Sequence, residues 1–234
     1  MYRTKLNELI NGLESHSDIE LVDVAKAEEP FRDTIIKEII QQLGEKLKTE
    51  ITPEYFDFFK LGDGWKVYWT NEGEKVDFSG EFNLISMKKV LAKADKYPLW
   101  HSEMTEEEMD FYESLQIIDI HGSSGDGQYA AFKIVEGQFP FEIWFIDRAD
   151  AYQMDLDYSG YLDALITTRG LHGWQYFFLT DYSKILSGDY YAVSVKKYMQ
   201  HVLDGLAQLF PSVDITYYQN KFKEVFGGYI EGLK

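Results

Sequence analysis

The chain has 234 residues, of which 45% are hydrophobic and 16% aromatic, enough to bury a substantial core in one domain. Its 40 acidic residues against 23 basic ones give a formal net charge of -17 at pH 7, which repels nucleic-acid phosphates and anionic lipid and weighs against direct nucleic-acid binding. There is no cysteine, so disulfides, Cys-ligated zinc and thiol catalysis are excluded, and apolar runs such as FPFEIWFI at 139–146 fall far short of the roughly 20 residues that cross a bilayer.

The opening stretch MYRTKLNELINGLESHSD lacks a continuous apolar block, so the expected location is the cytoplasm. Leu6, Leu9, Ile10 and Leu13 recur at helical spacing, as do Phe31, Ile35, Ile39, Leu43 and Leu47. Both stretches predict amphipathic helices packed on something larger. In ITPEYFDFFKLGDGW, residues 51–65, Thr52 is placed to N-cap and Pro53 to open a helix of about two to three turns. The LGDG that follows supplies left-handed positions to end it.

WKVYWTNEGEKVDFSGEF sets two aromatic and β-branched runs on either side of NEGE, the pattern of a hairpin. Ser86 is placed to cap a helix through about Ala94, and Thr105 with Glu108 forms a capping-box pattern for another. QIIDIHG, QYAAFKIVE and FPFEIWFID read as three successive strands joined by glycine-bearing turns. After Asp147 the spacing turns helical, first through Tyr161, Leu162, Leu165 and Ile166, then through Trp174, Phe177 and Phe178. A long stripe of Tyr191, Val195, Tyr198, Met199, Val202, Leu206 and Leu209 follows, and a last segment around Tyr218, Phe222 and Phe226. Strands clustered in one helix-flanked block, with links short enough for antiparallel pairing, predict an α+β fold.

The glycine-rich stretch IHGSSGDGQYAAFKI, 120–134, invites a phosphate-binding reading and fails it. A P-loop needs Lys-Ser or Lys-Thr after its glycines and a dinucleotide fingerprint needs a helix; here Asp126 and Gln128 stand in those places and a strand follows. A nucleophile elbow needs G-x-S-x-G between strand and helix, and GSSG is one residue short. The expected role is a strand-connecting turn in which Gly122, Gly125 and Gly127 permit positive φ, with Asp126 at its tip as a partner contact.

In DLDYSGYLD, Asp155, Asp157, Ser159, Gly160 and Asp163 match five places of an EF-hand loop, but the twelfth place, where calcium takes a bidentate acid, is Ile166. An acidic helix start is the better account. The five histidines show no H-E-x-x-H pattern and read as surface or structural residues, so no metal and no cofactor is expected. Trp65, Tyr68, Trp69 and Trp144 read as core and sheet-face residues ahead of a ligand cage. Alternation sets Tyr68 opposite in facing to Val67 and Trp69, which leaves one face for an exposed aromatic ringed by acids, the composition of an interface anchor.

ITPEYFDFFKLGDGW at 51–65, GDGQYAAFKI at 125–134, FEIWFIDRADAYQM at 141–154 and YSGYLDALI at 158–166, in that order and spacing, resemble the SUKH superfamily. That group joins fungal cell-wall-synthesis regulators to many bacterial immunity proteins. The resemblance covers roughly residues 35–180; the insertion YPLWHSEMTEEEMDFYESL and the helical tail of 181–234 depart from the minimal pattern. It implies one domain over 1–234 with a curved, mainly antiparallel sheet, no enzymatic activity, and binding and neutralisation of a toxin, often a nuclease. On that reading Asp126, Asp147, Asp150, Asp155 and Asp157, near the strand ends, steer a basic toxin, and Tyr68 and Trp69 supply aromatic contacts. The alternative is an intracellular scaffold or regulator whose acidity serves solubility. An enzyme would need a deep pocket with convergent acids and shifted pKa values.

Overall fold

A computed structural model describes every residue except 28, 29, 31, 49, 53, 54, 63, 72–76, 93–103, 126, 149 and 228–234. Helix α1 (Tyr2–Glu14) buries Leu6, Leu9, Ile10 and Leu13, as their spacing requires. Strand β1 (Glu20–Ala25) follows. Helix α2 (Asp33–Leu47) buries Leu43 and Leu47 and packs Ile39 against the core as expected, but its first turn is rotated from the expected face. Ile36, Leu43 and Leu47 are buried whereas Ile35 is exposed. A strict four-residue repeat drifts round a helix of 3.6 residues per turn, while 36, 40, 43 and 47 stay on one side. Helix α3 (Phe56–Phe59) is a single turn, shorter than expected, and Gly62 and Gly64 beyond it adopt φ of +81° and +96°. Phe31, Pro53 and the NEGE turn lie wholly or in part outside the described residues.

The remaining elements are β2 (Trp65–Asn71), β3 (Phe78–Leu84), α4 (Met87–Ala92), α5 (Glu106–Ser114), β4 (Leu115–Ile120), β5 (Gln128–Lys133), β6 (Glu142–Asp147) and β7 (Asp150–Met154). After them come α6 (Tyr158–Thr168), a 3₁₀ turn at Trp174–Phe178, α7 (Ser183–Leu186), α8 (Asp189–Leu209) and α9 (Thr216–Phe226). The expected capping box forms at Thr105, whose hydroxyl accepts from the Glu108 amide while the Glu108 carboxylate accepts from the Thr105 amide. Asp157 caps α6 through the Gly160 amide.

Seven strands pair in chain order β1 to β7, every neighbour antiparallel, so the fold is α+β with an open antiparallel sheet. Two of the strands, β1 and β7, are not among those the sequence predicts. The stretch after Asp147 makes a hairpin turn through Arg148 (φ +58°) into β7 before any helix starts. One face carries the main core, where Val67, Trp69, Phe82, Phe132 and Phe145 meet α1, α6, the 3₁₀ turn and α8. The other carries a smaller cluster of Leu115, Ile117, Tyr129, Ala131 and Ile146 under Phe111 and Tyr112 of α5. Val195, Met199, Val202 and Leu206 of α8 are fully buried in the main core, so the C-terminal helices are integral to the domain.

The sheet is continuous but splayed between β3 and β4. Their ladder is reduced to Leu84 opposite Asp119, with the Ile85 amide donating to Ile118 O. Beyond that point β3 completes its hydrogen bonds with the segment after α6. Glu81 N donates to Gly170 O at 2.9 Å, His172 N donates to Ser79 O at 3.1 Å, and Gly80 bridges Leu171. Gly80 also lies directly opposite Trp69, whose buried indole donates to Arg169 O at 2.8 Å. A Cβ at position 80 would sit 2.5 Å from the indole nitrogen. Gly80→Ala is therefore expected to lower stability by about 2–3 kcal/mol through overpacking, measured by urea denaturation; an unchanged midpoint would mean that Trp69 is not held against β3.

Candidate functional site

The splay collects polar side chains that a continuous ladder would have excluded. Glu81 points from β3 to the side away from the main core and is fully buried. Its two carboxylate oxygens accept the backbone amides of Ser123 (2.6 Å) and Ser124 (2.9 Å) in the glycine-rich loop. Gly125 and Gly127 adopt φ of +73° and +71° there, while Gly122, expected to do the same, does not. The loop does cradle an anion, and the anion is a side chain of the same protein. Burial raises the Glu81 pKa, but the two amide hydrogen bonds and the nearby His121 outweigh it and hold the carboxyl below its ordinary value.

Asp119 is the second buried acid. A bulge between Ile117 and Asp119 turns it to the helix-covered face opposite Ala130. It accepts from Asn83 N at 2.7 Å and from the Tyr161 hydroxyl at 2.7 Å. Complete burial dominates those hydrogen bonds, and with the Glu81 charge nearby the pKa is pushed up to about 6. Gln175 contacts the His121 ring at 3.3 Å, and His121 stands edge-on to His172 at 5.6 Å, so polar groups run from the splay toward the surface.

They end at a cleft of about 580 Å³ where β2, β3, the glycine-rich loop and α8 meet. Tyr68, Ser79, Ser124 and His172 line one side. The other side is one face of α8, Ser194, Lys197, Tyr198 and His201, which recur at helical spacing beside the buried apolar stripe. Burial, reinforced by His172, lowers the His201 pKa against the opposing pull of Asp204.

Of the seven residues expected to meet a partner, the six described ones are not brought to one face. Asp126 lies outside the described residues. Asp147 is buried and accepts from the hydroxyls of Tyr176 (2.6 Å) and Tyr191 (2.8 Å), so it serves the interior. Asp150 pairs with Lys184 at 2.5 Å at the start of β7. Asp155 and Asp157 lie beyond the other end of that strand, about 16 Å away at strand rise, and Asp157 is occupied as the α6 cap. Trp69 is wholly buried in the core; Tyr68, its neighbour, faces the other way and lines the cleft, as alternation requires. Asp163 of the calcium-like stretch is turned to Lys5 and the Tyr2 hydroxyl, and among the described residues no group of three or more His, Asp or Glu is placed to hold a metal ion.

A different surface carries exposed apolar groups. β1 is an outermost strand, paired with β2 alone. Its side chains Val22 and Val24 are 54% and 41% exposed, between the exposed acids Asp18 and Glu20 and the half-buried Asp23, which pairs with Lys66. Val22 has no partner in the ladder because the register shifts between Leu21 and Asp23.

Glu81 and Asp119 are not among the site residues expected from sequence; Asp119 carried a signal, a carboxylate after the apolar pair of QIIDI, whereas Glu81 sits between Ser79 and Asn83 at a polar place of an alternating strand. In comparisons with known proteins, no family model, no curated protein and no solved structure matches this chain.

The two buried acids give opposite pH signatures. Glu81 releases its proton more readily folded than unfolded, so its contribution is full above the ordinary value of 4.5 and is lost as pH falls through the folded value. Asp119 holds its proton more tightly folded, so its contribution is full below 3.8 and is lost as pH rises through about 6. Melting temperature scanned across this range is expected to show the deficit of Glu81→Gln growing as pH rises, to about 2 kcal/mol at neutrality. Asp119→Asn is expected to gain relative to the unsubstituted protein over the same rise. Parallel curves for all three proteins would contradict both assignments.

Proposed function

We propose that this protein works by binding another protein, without bond-making of its own, and that its partner is a basic toxin which it neutralises. The observation that carries this reading is the β1 edge, where Val22 and Val24 stand exposed among acids on the outermost strand. An apolar centre with a charged rim is the composition of a protein interface, and an acidic rim on a chain of net charge -17 selects a basic partner.

The fate of the buried acids points the same way. Glu81, Asp119 and Asp147 each accept two or more hydrogen bonds from the protein itself. Each is accounted for by folding alone. The resemblance of 51–65, 125–134, 141–154 and 158–166 to the SUKH superfamily supplies the class of partner, a toxin and in many members a nuclease. It belongs to the same reading.

The interface is accordingly placed on β1, in preference to the strand-end aspartates. The test is to look for a basic toxin domain in the adjacent gene and co-express it with this protein, which is expected to restore growth. The pair Val22→Asp and Val24→Asp is expected to weaken binding by about a hundredfold, on the scale of central interface residues. Asp150→Asn with Asp155→Asn is expected to change it only slightly, mainly through the association rate. Failure of rescue by the unsubstituted protein would overturn the toxin reading; undiminished binding by the valine variant would overturn the β1 interface.

A further inference from the structure

The cleft between the glycine-rich loop and α8 has a charge opposite to that of the molecule. In a chain with 40 acidic residues, its lining contains no carboxylate among the described residues. Instead Lys197, His172 and His201 share it with serines from three different elements, Ser79, Ser124 and Ser194. Lys197 is exposed and has no ion-pair partner among the described residues, although surface acids are abundant. The histidines are close enough for the charge of His172 to act on His201. Glu81, a buried acid behind the loop, keeps its charge but has both carboxylate oxygens occupied by the Ser123 and Ser124 amides, so those hydrogen bonds do not draw on the donors of the cleft.

Lys197 and His201 lie one helical turn apart on the same face of α8, a spacing that lets a point cation and an imidazole N–H reach one small oxyanion. The volume of about 580 Å³ is that of a small-molecule site, larger than a phosphate alone needs. Tyr68 on the sheet side offers a half-buried ring for a planar group.

We propose that this cleft binds a nucleoside monophosphate, its phosphate held by Lys197, His201 and the Ser79 hydroxyl and its base lying on Tyr68. No bond is made or broken; the site is one of recognition. It does not depend on the β1 interface.

Isothermal titration calorimetry of the full chain with adenosine and uridine monophosphates tests it, with the corresponding nucleosides as uncharged probes. At least one monophosphate is expected to bind, with the nucleosides weaker by about tenfold or more, the loss expected when a charge-assisted contact disappears. Lys197→Gln should reproduce that loss, while Lys196→Gln, on another side of the helix, should leave affinity within about twofold. Both residues are on the surface of α8, so neither change threatens folding. Heat from neither monophosphate, nucleosides binding as well as their phosphates, or equal losses in the two lysine variants would each overturn the proposal.

Discussion

A carboxylate held by two backbone amides organises this protein. Glu81 comes from β3, the amides of Ser123 and Ser124 from the loop between β4 and β5, and the two strands separate just where this contact is made. A sheet that opens leaves backbone donors and acceptors without partners, and burying them unpaired is prohibitive. Here the segment Gly170–His172 satisfies β3 and the Glu81 side chain satisfies the loop. The opening is thereby converted into a second structural layer of hydrogen bonds.

A chain of interior polar groups follows from that opening. His172 is carried in by the inserted segment, and His121 ends β4 beside it. Asp119 and Tyr161 close the inner end of the splay, and α8 closes its outer end with a polar face. The same arrangement separates the protein's acids into two populations. Those inside hold strands, loops and tyrosines together, and those outside set the sign of the surface. On the proposed reading, steering of a basic partner would fall to the second population and the apolar centre of the interface to β1. Among the described residues the lining of the cleft carries no acid.

Much of the fold was legible because it rests on periodicity. The helical stripe of α1, the buried stripe of α8, the capping box at Thr105 and strands β2 to β6 all follow from residue spacing and local chemistry. β1 was not legible because its valines face solvent and a bulge breaks its alternation. β7 was not, because five residues between a tight turn and an acidic helix start offer too little pattern. For the site, the glycine-rich loop was correctly read as a turn, but what fills it was out of reach. Glu81 is 42 residues from Ser123, and the cleft joins Tyr68 to His201 through an inserted segment that no local rule anticipates. The strand-end aspartates illustrate the same limit: sequence places Asp147 and Asp150 within one turn, yet one is drawn inside by two tyrosines and the other pairs with Lys184.

The most direct measurement is amide hydrogen exchange at Ser123 and Ser124, followed by NMR at neutral pH. If the Glu81 carboxylate holds this loop, both amides exchange as slowly as those within β5, although no strand pairs with them. Exchange at the rate of an open surface loop, while β5 remains protected, would contradict the account.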